Sequence, residues 1–144
     1  MIIDDLQLTG ALQISLNNEI VHQCDNLVVT AGKNWVAGRF KDGSIPDEMS
    51  HMAIGSADTA AAAGNTALAT ELNRIALTTD GGTVSTNTVQ YDASWTSAAA
   101  AYAKKEAGIF NAASGGTMLA RTTFAVINKR TDDTVSISWT ITVS

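Results

Sequence analysis

Cysteine is almost missing from this chain: Cys24 stands alone among 144 residues, so no internal disulfide can form. A single thiol of this kind suits a reducing compartment, and it is expected to be packed, not reactive. Positive charge is scarce too. Nine Lys and Arg against fourteen Asp and Glu leave a formal charge of -5 and a pI near 4.7. Affinity for nucleic acid comes largely from clustered cations. The only adjacent basic pairs here are Lys104-Lys105 and Lys129-Arg130, both expected at turns or strand edges, so no nucleic-acid partner is expected. Apolar runs fall far short of the roughly 20 residues that span a bilayer, so no membrane partner is expected either. Acidic residues in Met1-Ile2-Ile3-Asp4-Asp5 occupy the place where a secretory signal carries positive ones.

Reactive chemistry is equally sparse. His22, Cys24 and His51 are the only soft ligands, and a structural zinc site needs four. Gly55-Ser56-Ala57-Asp58 does not complete a Gly-x-Ser-x-Gly nucleophile elbow. Gly81-Gly82 and Gly115-Gly116 lack the trailing Lys and Ser or Thr of a phosphate loop and fit turns better. Asp25, Asp58, Asp92 and Asp132-Asp133 are not spaced like a calcium loop. The expectation is therefore a protein without catalytic residues, metal or cofactor.

What the chain does have is alternation. With 45% hydrophobic residues and 144 positions it is long enough to bury a core as one domain. From Thr134 to Ser144 the residues Val135, Ile137, Trp139, Ile141 and Val143 share one face, which predicts a half-buried strand. Leu6 to Leu16 repeats the pattern with a missing step at Gly10, where a bulge or a close backbone approach is expected. Asn17-Asn18 should turn the chain back into a strand over Glu19 to Cys24. Further strands are expected at Met52 to Gly55, Arg74 to Thr79, Val84 to Trp95, Ala107 to Asn111 and Thr117 to Ile127. Turns between neighbouring strands are expected at Asp80-Gly81-Gly82 and Ser114-Gly115-Gly116, and a polar loop over Asn128 to Asp133 should close a final hairpin.

Thr30 predicts a helix N-cap, with a helix running to about Lys41 and Gly32, Val36 and Phe40 in one row. A second short helix is expected from Thr66 to Asn73, burying Leu68 and Leu72. The alanines Ala60 to Ala63 are read as an extended loop, and Ala98 to Ala101 as a connection into the Glu106 strand. The fold class is mainly β: an antiparallel β-sandwich with one or two short helices.

Four blocks carry the remaining information. They are Val28-Val29-Thr30-Ala31-Gly32-Lys33-Asn34-Trp35-Val36-Ala37-Gly38-Arg39-Phe40, Met52-Ala53-Ile54-Gly55-Ser56, Thr66-Ala67-Leu68-Ala69-Thr70-Glu71-Leu72 and Lys105-Glu106-Ala107-Gly108-Ile109-Phe110. In this order the chain resembles, over roughly residues 27 to 127, the N-terminal attachment domain of bacteriophage tail-collar fibre proteins and related small virion proteins. The resemblance implies a virion component made in the host cytoplasm, contacting tail, baseplate, fibre or capsid proteins and assembling as a homo-oligomer, trimer or ring. It also implies that Glu71, Arg74 and Glu106 form a structural ion pair, with Arg74 as the shared partner bridging Glu71 or Glu106. Trp35, off the Gly32 row of its helix, and Arg39 are candidate interface residues.

Within that family the domain joins fibres to the tail or baseplate. A chain ending at Ser144 without a fibre shaft is expected to act as an adaptor, or alternatively as a capsid decoration protein. A carbohydrate-binding module is the remaining alternative and would need an exposed aromatic platform, against an aromatic content of 6%.

Overall fold

A computed structural model describes residues 2, 5–41, 47–96 and 102–144. Its elements are β1 (Leu8–Leu16), β2 (Glu19–Asp25), β3 (Leu27–Val28), α1 (Thr30–Arg39), β4 (His51–Gly55), β5 (Glu71–Ala76), β6 (Thr83–Ser85), β7 (Thr88–Trp95), β8 (Tyr102–Phe110), β9 (Met118–Lys129) and β10 (Val135–Val143). The strands form two antiparallel sheets, ordered β2-β1-β10-β7-β6 and β3-β9-β8-β4-β5, packed as a β-sandwich.

Period-two burial builds the first sheet. β1 and β10 pair without interruption from Leu8 opposite Val143 to Leu16 opposite Val135, so Leu12, Ile14, Ile137, Trp139 and Ile141 all enter the core. Asn17 and Asn18 sit at φ 52° and 68°, the left-handed pair that a two-residue hairpin turn requires. Gly10 keeps its register against Ile141 and serves close approach: a Cβ there would overlap the Asn26 carboxamide, whose oxygen accepts the Trp139 indole N–H at 2.8 Å. The irregularity lies instead between Ile14 and Ser15, where Val21 is the extra residue of β2.

Leu12, Ile14, Tyr91, Trp95 and Trp139 of the first sheet meet Met52, Ile54, Ala107, Ile109 and Ile127 of the second in one cluster. Each such fully buried large side chain contributes about 1.5–3 kcal/mol of hydrophobic stabilisation.

Several connections differ from expectation. Residues 84–95 are not one strand: Thr86, at φ 52°, and Asn87 reverse the chain between β6 and β7. β9 and β10 belong to opposite sheets, so residues 130–134 form a corner and not a hairpin. The Asp80-Gly81-Gly82 turn likewise crosses between sheets, whereas Gly115-Gly116 does close the β8–β9 hairpin. The expected helix over Thr66 to Asn73 is replaced by irregular chain leading into β5. There Leu68 is buried and Leu72 is 40% exposed. Alanines 60–63 form a loop, as expected; the Ala98 to Ala101 connection lies outside the described residues.

α1 takes Thr30 as its first residue, so its cap lies one position earlier than expected. Val29 is the N-cap and offers no side-chain bond; the Thr30 N–H instead donates to the Ala63 carbonyl at 2.8 Å. Gly32 allows the helix to touch β9, because a Cβ there would overlap the Leu119 carbonyl. Val36 packs on the main core, but Phe40, expected to continue that row inward, is 82% exposed.

Candidate functional site: a clipped loop and the helix beside it

The fifteen residues 56–70 between β4 and β5 carry no regular structure, yet they lie across the outer face of the second sheet. An uncovered loop of this length is uncommon in a small domain. Two devices hold it. Leu68 enters a small second core with Val29, Ala53, Phe110 and Met118. Gly108 beneath it leaves the room, since a Cβ there would stand 3.0 Å from the Leu68 methyl.

The second device is ionic. Glu106, fully buried on β8, accepts the backbone N–H groups of Thr70 at 2.7 Å, Ala69 at 3.0 Å and Ala57 at 3.4 Å. Arg121 on β9 donates to the same carboxylate from Nη2 at 2.8 Å and Nε at 3.1 Å. Its remaining donors reach the Thr59 carbonyl at 2.9 Å and Asn65 Oδ1 at 3.1 Å. Both ends of the loop are thereby clipped to one buried ion pair, and Gly55 is small because a side chain there would overlap Glu106 and the Thr70 carbonyl.

The expected ion pair is thus divided. Arg74 does pair with Glu71, Nη2 to Oε1 at 2.7 Å, but Glu106 belongs to Arg121. Arg74 donates further to the carbonyls of Ala112 and Gly115, both at 2.9 Å, and its guanidinium lies 3.7 Å above the Phe110 ring. Sequence reasoning missed Arg121. The signal was the β8–β9 hairpin itself: with Gly108 opposite Arg121 and Glu106 opposite Thr123, the two charges are diagonal neighbours on one face.

α1 borders this assembly. Trp35 is half-buried against the main core, donates its indole N–H to the Asp47 carbonyl at 2.8 Å, and lies under the Arg39 guanidinium at 5.6 Å. Beyond it, Leu6, Leu8, Val36, Phe40 and Val143 line an apolar groove of about 510 Å³ with Lys33 at its edge.

Burial pushes the Cys24 thiol up, a Thr122 hydrogen bond opposes this, and the Asp25 charge adds to it. His22 shares a face of β2 with Cys24 and packs near the Phe124 ring at 6.2 Å. Among the described residues no three His, Cys, Asp or Glu side chains stand close enough to hold a metal ion, and no helix is long and apolar enough to cross a membrane. Trp95 and Trp139 are buried, whereas Phe40 at the end of α1 is exposed and Trp35 half-buried. No family model, curated protein or solved structure matches the chain.

Proposed function

We propose that this chain is a non-enzymatic structural component of a bacteriophage virion, a tail, collar or baseplate attachment or fibre-adaptor protein working as a homo-oligomer. The observation that carries the reading is convergence. The four sequence blocks behind the resemblance meet around one face: β4 supplies Ala53 and Gly55, β8 supplies Glu106, Gly108 and Phe110, the Thr66 to Leu72 stretch supplies Leu68 and two N–H donors, and α1 is tied to Ala63. The buried polar chemistry there is spent on holding a loop in place. A carboxylate saturated by five donors has little capacity left for proton transfer, and a rigid face is what a particle-building domain needs.

Copy number per purified particle, by quantitative mass spectrometry, tests the reading. Small multiples of three or six are expected. Hundreds of copies would shift the assignment to capsid decoration, and absence from infectious particles would overturn both.

A further inference from the structure

The apolar groove at the end of α1 is bordered by a side chain that does not fill it. Phe40 is 82% exposed and Leu6 66% exposed, and with Val143 at 39% they line one concavity together with Leu8, Val36 and Lys33. Elsewhere, Ile2 near the N-terminus apart, the exposed large apolar side chains lie on strands or at their ends, as Ile20, Val21, Val84 and Val126 do. Burial does not explain an aromatic in this position, because α1 already seats Gly32, Trp35 and Val36 against β9 and the core.

We propose that this face docks on a second copy of the same chain, with Phe40 of each copy entering the neighbour's groove. The inference rests on the assembly role proposed above and names the surface that performs it. Knob and groove belong to one patch, so the patch is complementary to itself and the contact closes as a pair about a two-fold axis passing close to Phe40. Size agrees. A side chain such as Phe40 leaves on the order of 150 Å² exposed, and Leu6, Val143 and the half-buried groove residues bring the apolar area to about 350 Å² per copy. Doubled and joined to the polar rim of Gln7 and Lys33, this reaches on the order of 1,000 Å², where stable interfaces begin. The groove's 510 Å³ is ample for a phenyl ring. A hydrophobic centre with a polar rim is also the anatomy of a protein interface. Trp35 and Arg39, stacked on each other, lie on the same helix but outside the groove lining.

Sedimentation equilibrium of the full chain over a hundredfold concentration range tests this, alongside Phe40→Asp, Leu6→Asp and, away from the groove, Val84→Asp. The expected result is a mass that rises to twice the 15.0 kDa chain, or to an even multiple of it where a second contact joins the pairs. Phe40→Asp and Leu6→Asp should weaken association at least tenfold while their melting curves stay cooperative, and Val84→Asp should associate normally. A wild-type chain that remains a monomer, or a Phe40→Asp chain that associates as the wild type does, overturns the proposal. Should Phe40→Asp fail to fold, Leu6→Asp decides in its place: weakened association supports the docking, and unchanged association overturns it. Particles that contain the chain while the purified chain stays monomeric would sink the self-docking alone; absence from particles would sink the assembly role instead.

Discussion

Removing Arg121 and removing Glu106 are unequal operations, although the two residues form one ion pair. Arg121→Met leaves the carboxylate facing three backbone N–H donors, which still solvate it. Glu106→Leu leaves those donors without their acceptor and a buried guanidinium without its counter-charge, holding only the Thr59 carbonyl and Asn65 Oδ1. Urea unfolding should therefore show a loss of about 3 kcal/mol for Arg121→Met and about 5 kcal/mol for Glu106→Leu. The reverse order would mean that the carboxylate is not what holds the loop. Arg74→Ala belongs to a milder class, because Glu71 is 34% exposed and an exposed pair contributes little. Its packing on Phe110 and its two carbonyl bonds set the loss at about 1–2 kcal/mol, while Glu71→Ala should cost under about 1 kcal/mol. The sequence marks Glu106 and Arg74 as unusual by their apolar surroundings. It does not reveal which arginine faces which glutamate, because that depends on hairpin register across an irregularity between Lys104 and Glu106.

At the scale of elements, alternation announces a strand but is silent on the sheet it joins. β9 and β10 show why: both alternate, and the corner between them resembles a hairpin loop until the pairing partners, β8 and β1, are known. The segment before β5 shows a different limit. Leu68 and Leu72 have helical spacing, yet the N–H groups of Ala69 and Thr70 are committed to Glu106, so tertiary hydrogen bonding overrides a weak local preference. α1 yields a direct test of such override. Alanine favours a helix over glycine by about 1 kcal/mol, but a Cβ at Gly32 would overlap the Leu119 carbonyl. Gly32→Ala should therefore lower the melting temperature despite its better propensity, whereas Gly64→Ala, which meets nothing within 4 Å, should leave it unchanged. A stabilised Gly32→Ala chain would mean that the helix does not rest on β9 at that point.

For the whole molecule, buried titratable groups set how stability follows pH. Lys104 on β8 is almost fully buried, and that burial, reinforced by the charge of Lys129 on β9, pulls its amine down from 10.5 to about 8. Below about pH 8 the amine is charged whether folded or unfolded, and the cost of burying that charge is carried in full. Between about 8 and 10.5 the unfolded chain holds the proton that the folded chain has released, so stability rises with pH. Two other groups act with the opposite sign. The thiol of Cys24, raised above 9.0, and the phenol of Tyr91, pushed up from 10.0 to about 12, both keep their protons in the folded state after the unfolded chain has lost them. Each lowers stability as pH rises beyond its unfolded value. The gain from Lys104 should therefore stand clear between about pH 8 and 9, with the thiol opposing it beyond 9 and the phenol beyond 10. Urea midpoints measured every half unit from pH 7 to 11 should rise, level and then fall. In Lys104→Met the rise between 8 and 9 should vanish while the fall above 10 remains, and a rise that survives the substitution would place its source in another group.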